Sequence, residues 1–218
     1  MEKTSSRRKG FIESRIMKIG ITIDGVIRDF LTKFELVYDK YFPVEEDTPK
    51  RSIDSLDLLE YFTFSGGTTD LNKFMYVDAA LEIFGHANEK KLNSVEHLNQ
   101  LHNLLEDMGH TPIVISKELN NSKPATLFFL SKLSAKINNI IFIREYDKKW
   151  DHVDILITAN PITLNTKPVG KVSIKVINKY NKNVKADYTI VDLKELLNDK
   201  KTLQKILDTE TIAFEEIK

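Results

Sequence analysis

The chain has 218 residues, enough for one domain or for a core with an inserted subdomain. Hydrophobic residues make up 41% and charged residues 29%, and 32 Lys+Arg balance 32 Asp+Glu, so charge gives no case for nucleic acid or an anionic membrane as the main partner. Cysteine is absent, which excludes disulfides, thiolate catalysis and cysteine-based zinc sites, and no apolar run approaches the roughly 20 residues that span a bilayer.

Residues 1–16 are polar and contain Ser5, Ser6, Arg7, Arg8 and Lys9. They lack the apolar stretch of a secretory signal and read as a basic tail, either solvated or a small arm for nucleic acid or a partner. Residues 17–24 are mostly apolar, as in a strand buried on both faces of a parallel sheet. Residues 27–41 place Phe30, Leu31, Phe34, Val37, Tyr38 and Tyr41 at helical spacing, and Pro43 with Glu45, Glu46 and Asp47 ends that helix. Residues 48–90 are aromatic-rich and irregular, with short helices expected over 55–62 and 71–84. Gly66 and Gly67 mark a loop, without the lysine spacing of a nucleotide-binding glycine loop. Tyr61, Phe62 and Phe64 read as the core of this region, with a pocket wall as the alternative.

The clearest helix spans 93–108. Asn93 or Ser94 can cap it, Val95, Leu98, Leu101, Leu104 and Leu105 form its apolar stripe, and Gly109 stops it. His97 and His102 lie five apart, which is not the spacing of a helical zinc pair, and both read as surface residues. Strands follow at 112–116, 139–143, 154–157 and 172–177, with helices over 123–136 and 192–208. This alternation predicts an α/β fold, a Rossmann-like parallel sheet flanked by helices. Such sheets carry their sites at the carboxyl ends of the strands, where Thr22, Asp24, Ser116, Lys148 and Thr158 would converge.

Thr22-Ile-Asp24-Gly25-Val26-Ile-Arg28-Asp29-Phe30 resembles the first motif of the haloacid dehalogenase (HAD) superfamily, Asp-x-Asp-Gly-Thr/Val. Its length and ending are similar to the 5'(3')-deoxyribonucleotidase branch, Asp-x-Asp-Gly-Val-x-x-Asp-Phe. Ser116 matches the Ser/Thr of the second motif, and Lys148 in Asp147-Lys148-Lys149-Trp150 matches the lysine of the third. Asp154-Ile-Leu-Ile-Thr158-Ala159-Asn160-Pro161 stands at the fourth, and Asn178-Lys-Tyr180-Asn181 resembles the segment after it. The resemblance implies a HAD-like core over 17–30 and 93–218, a small helical cap inserted after the first strand over 31–92, and the tail over 1–16.

It also implies an aspartate nucleophile, a second aspartate as general acid/base, a Ser/Thr and a lysine on the phosphate, and carboxylates around Mg²⁺. Asp24 keeps the acid/base position and one metal position, and Ser116 and Lys148 keep the phosphate positions. Thr22 stands where the nucleophile belongs, and Thr158 and Ala159 stand where the metal acids belong. Two separate losses predict a catalytically inactive HAD-like protein without a cofactor, in a binding, structural or assembly role, as a phage-encoded component of a larger complex would be. The expected partners are a protein or larger assembly and a nucleotide or phosphate ligand, with no membrane and with nucleic acid only through the tail. A cytoplasmic or virion-associated place follows from that reading. Two alternatives stay open. One is a divergent Mg²⁺-dependent deoxyribonucleotidase or phosphatase in which Asp24 activates water directly. The other is a nucleotide or phosphate sensor.

Overall fold

The fold is given by a computed structural model, which describes residues 15–43 and 51–215. The basic cluster at residues 5–9 and the acidic run at 45–47 lie outside the described residues. Six parallel strands form one sheet: β1 (Lys18–Ile21), β2 (Thr111–Lys117), β3 (Ile140–Ile143), β4 (Ile155–Thr158), β5 (Val172–Val176) and β6 (Tyr188–Ile190). Their order is β3-β2-β1-β4-β5-β6, so β1 lies between β2 and β4. The α/β expectation therefore holds.

Alternation along the strands divides the apolar residues between two faces. On one face Ile19, Ile21, Val114, Ile155 and Ile157 pack against α3 (Ser94–Asp107), α4 (Ser122–Lys132), α6 (Leu193–Asn198) and α7 (Lys200–Glu215). On the other, Ile113, Ile115 and Leu156 meet Trp150 and Val153. A further apolar cluster lies outside the sheet. It joins α1 (Phe30–Tyr41) to the segment that carries α2 (Thr68–Lys73), with Phe34, Phe62, Phe74, Ile83 and Phe84 buried in it. Phe34 meets Phe62 edge to face at 4.8 Å. Tyr61 and Phe64 pack against the same cluster, so this aromatic group is core rather than pocket wall.

Several elements differ from the sequence reading. The expected helix over 71–84 starts at Thr68 and widens into two π-helical turns, Phe74–Asp78 and Leu81–Gly85. Residues 55–62 give a single 3₁₀ turn, Leu58–Glu60. The closing helix breaks at Asp199. Strand β6 was not expected, because three residues carry too little pattern to read. Asn93 adopts a left-handed conformation and makes no side-chain cap. Glu89 takes over, accepting from Val95 N at 2.7 Å. His102 is buried, not a surface residue, because it falls on the inner stripe of α3 beside Leu98, Leu101 and Leu105.

Candidate functional site

The site forms where β1 ends. The chain leaves β1 through Thr22, Ile23 and Asp24 and turns at Gly25 with φ 76°. A Cβ there would lie 2.1 Å from Tyr180 Oη and 2.8 Å from Ala159 Cβ, so only glycine fits both the conformation and the space. Two asparagines hold the neighbouring loops. Asn178 Nδ2 donates to Gly25 O at 3.1 Å, and Asn181 Nδ2 donates to Ala159 O at 2.8 Å. Both sit in the 3₁₀ turn region after β5, around Lys179–Asn181.

Parallel pairing brings Thr22, Ser116 and Thr158 to one edge of the sheet. Of the three hydroxyls, that of Ser116 alone donates to a carboxylate, while those of Thr22 and Thr158 meet each other. Thr22 Oγ1 donates to Thr158 Oγ1 at 3.2 Å, and that oxygen also accepts from Asn160 N at 3.1 Å. Ser116 Oγ donates to Glu118 Oε1 at 3.0 Å.

Asp24 is engaged too. Its Oδ1 accepts from Arg28 Nε at 2.6 Å. Arg28 is fully buried, and its other nitrogens are also spent: Nη1 donates to Phe84 O at 3.2 Å and to Thr126 Oγ1 at 2.7 Å, and Nη2 donates to Glu118 Oε1 at 3.1 Å. The guanidinium also lies 4.9 Å from the centre of the Phe84 ring. Burial opposes the charge of Arg28, and the carboxylates of Asp24 and Glu118 more than offset it, holding its pKa above the usual value. Burial pushes Glu118 up, with Arg28 pulling the other way.

Above this network lies a cavity of about 240 Å³. Its floor includes Thr22, Asp24, Ser116, Lys117, Tyr146 and Lys149. Its roof is apolar and comes from the segment between β1 and β2, with Phe30, Leu31, Leu58, Leu71 and Met75. Lys117 Nζ lies 4.3 Å from the centre of the Tyr146 ring, and Lys149 Nζ lies 5.3 Å from it. Among the described residues neither ammonium has a hydrogen-bonding or ion-pair partner. Burial lowers the pKa of Lys117. Burial also lowers that of Lys149, to about 8, with Asp24 and Glu118 opposing and Lys117 adding to the fall.

The sequence reading placed the phosphate lysine at Lys148. The structure places Lys148 on the exposed side, and Lys149 lines the cavity instead. Both belong to the 3₁₀ turn Asp147–Asp151, where one residue rotates the side chain by about 120°. Adjacent lysines therefore point different ways. Thr22, Asp24 and Ser116 do come together around the cavity, as expected; Thr158 lies behind Thr22. Arg28, Lys117, Glu118 and Tyr146 were missed. A signal existed for two of them: Arg28 follows Asp24 by four residues, and Lys117 follows Ser116 directly.

The Mg²⁺ that the resemblance implies does not fit these residues. Thr22 and Thr158 are neutral and bonded to each other, Ala159 offers no side-chain donor, and Arg28 already neutralises Asp24. Among the described residues, no group of three or more His, Asp or Glu could hold a metal ion.

No protein-family model and no curated protein sequence matches the chain. Solved structures do. The chain is similar to a haloacid dehalogenase-like family hydrolase from Streptococcus pneumoniae, with a TM-score of 0.55 and 11% identity over 84% of this chain and 97% of that one. It is similar to a hydrolase from Pseudomonas syringae, with a TM-score of 0.55 and 13% identity over 85% of this chain and 98% of that one. Identities this low carry the architecture alone, and on that ground the chain has the α/β fold of the haloacid dehalogenase-like hydrolases.

Proposed function

We propose that this protein binds a small anionic ligand in the cavity above β1 and does not hydrolyse phosphoesters through an aspartyl intermediate. The observation that carries the reading is the pair Lys117 and Lys149. Both line the cavity, both are at least half shielded from water, and neither has a hydrogen-bonding or ion-pair partner among the described residues. Buried or half-buried charges are normally paired, so two unpaired ammoniums favour an anion between them. A phosphate or carboxylate supplies that charge.

The remaining geometry supports binding over turnover. A nucleophile needs an adjacent base, and Thr22 has a second threonine instead. A general acid must be free to move its proton, and the Asp24 carboxylate is held by a buried guanidinium. A nucleotide or phosphate sensor, or a ligand-binding subunit of a larger assembly, is compatible with such a site.

The test is a thermal-shift series with inorganic phosphate, phenyl phosphate and deoxynucleoside monophosphates, with and without Mg²⁺, beside a phosphate-release assay. Stabilisation that ignores Mg²⁺, without release, is the expected result; about 2.7 kcal/mol appears at 100 times the dissociation constant. Mg²⁺-dependent release that disappears in Asp24→Asn overturns the reading in favour of a divergent phosphatase.

A further inference from the structure

We propose that Lys149 is a nucleophilic amine that condenses with a small carbonyl compound bearing an anionic group, a 2-oxo acid being the simplest class. The anion-holding half of this proposal rests on the ligand reading above; the nucleophile does not.

The geometry comes first. A nucleophilic lysine needs a dry pocket, no ion pair to keep it protonated, and a second cation nearby. Lys149 is buried, lines the cavity, and has no hydrogen-bonding or ion-pair partner among the described residues. Lys117 supplies the second cation, and both ammoniums lie against the ring of Tyr146. The charged groups that act on Lys149 are Asp24, Glu118 and Lys117. Arg28 ties down both acids, with Nε on Asp24 and Nη2 on Glu118. Glu118 Oε2 stays buried without a hydrogen bond, yet among the described residues neither carboxylate forms an ion pair with Lys149. Its pKa of about 8 accords with that. A lysine in water, near pKa 10.4, holds under about 1% of free amine at pH 8.

The cavity also selects the reactant. Lys117 is placed to hold a carboxylate, and Leu58, Leu71 and Met75 offer an apolar roof for a short tail. The reaction needs no co-reactant. The Lys149 lone pair attacks the carbonyl carbon, a C–N bond forms, and the C=O π pair moves to oxygen. The two amine hydrogens leave with that oxygen as water, and the C=N bond of an imine remains.

The full chain would be incubated with phenylpyruvate and sodium cyanoborohydride from pH 6 to 9, then mapped by peptide mass spectrometry. The expected product is one reduced adduct on Lys149, forming roughly tenfold faster than on other lysines, with a rate that rises through about pH 8. Lys149→Arg abolishes this adduct. Lys117→Met slows it and moves the rise to higher pH, which keeps the proposal testable if Lys149→Arg fails to fold. Labelling spread evenly over the lysines, with no inflection, overturns the proposal. A thermal shift with phenyl phosphate but no adduct sinks the nucleophile and keeps the anion site. An adduct on Lys149 that forms as fast with methyl phenylpyruvate, the uncharged ester of the same ketone, as with phenylpyruvate keeps the nucleophile and sinks the anion site.

Discussion

Arg28 and Asp24 form an ion pair at 2.6 Å in which the cation is wholly buried and the anion faces the cavity. The carboxylate is therefore fixed by a residue four positions along the same chain, and the guanidinium spans from there to Glu118 at 3.1 Å. Removing Arg28 alone leaves Glu118 as a buried, unpaired charge. Arg28→Met is expected to cost about 3–5 kcal/mol in denaturant unfolding. The double change Arg28→Met/Glu118→Leu should recover most of that loss, because no stranded charge remains. Equal losses in both proteins would contradict the ion-pair account.

Thr22 lines the cavity, yet among the described residues its hydroxyl reaches only Thr158. Thr22→Val should change stability by no more than about 1.5 kcal/mol, the size of one neutral hydrogen bond, and should leave anion-induced thermal shifts intact. Loss of ligand binding in this variant would show that the hydroxyl does more than tie two strands together.

Lys149 sets a pH dependence. Its pKa falls to about 8 in the folded protein, against 10.5 in the unfolded chain. Between those values the unfolded chain binds more protons, so this residue makes stability rise with pH across that window. Below about pH 8 both states are protonated, and the cost of burying the ammonium is fully present. Lys149→Met should therefore raise stability at pH 7 by about 1–3 kcal/mol and flatten the rise from pH 8 to 10. It should also weaken anion binding. Urea titrations at several pH values read the first effect, and a variant less stable than the parent at pH 7 would refute it.

Gly25 offers a different kind of test. Gly25→Ala adds strain at φ 76° and a contact 2.1 Å from Tyr180 Oη. The expected loss is about 1–3 kcal/mol. Tyr180→Phe in the same background should return part of it, since the clashing oxygen is gone. A double-mutant cycle measures the coupling, and strict additivity would mean that the two residues do not meet.

The sheet was legible in the sequence because its strands are short apolar runs separated by helical stretches. The convergence of Thr22, Asp24 and Ser116 followed from strand ends in a parallel sheet. Strand β6, with only Tyr188, Thr189 and Ile190, had no period to show. The choice between Lys148 and Lys149 depended on the phase of a single 3₁₀ turn, which residue types do not reveal. Glu118 and Arg28 lie 90 residues apart, and charged residues in sequence read as surface until a partner is seen. His102 was misplaced for the same reason.

Arg28 also touches three parts of the molecule at once: the Asp24 loop, the Phe84 carbonyl in the segment between β1 and β2, and Thr126 in α4. It works as a rivet through the two layers. Lifting the segment between β1 and β2 away from the sheet would break the bond to Phe84 O and let water reach a cation that is otherwise sealed, so the roof and the floor of the cavity are tied together at this one side chain.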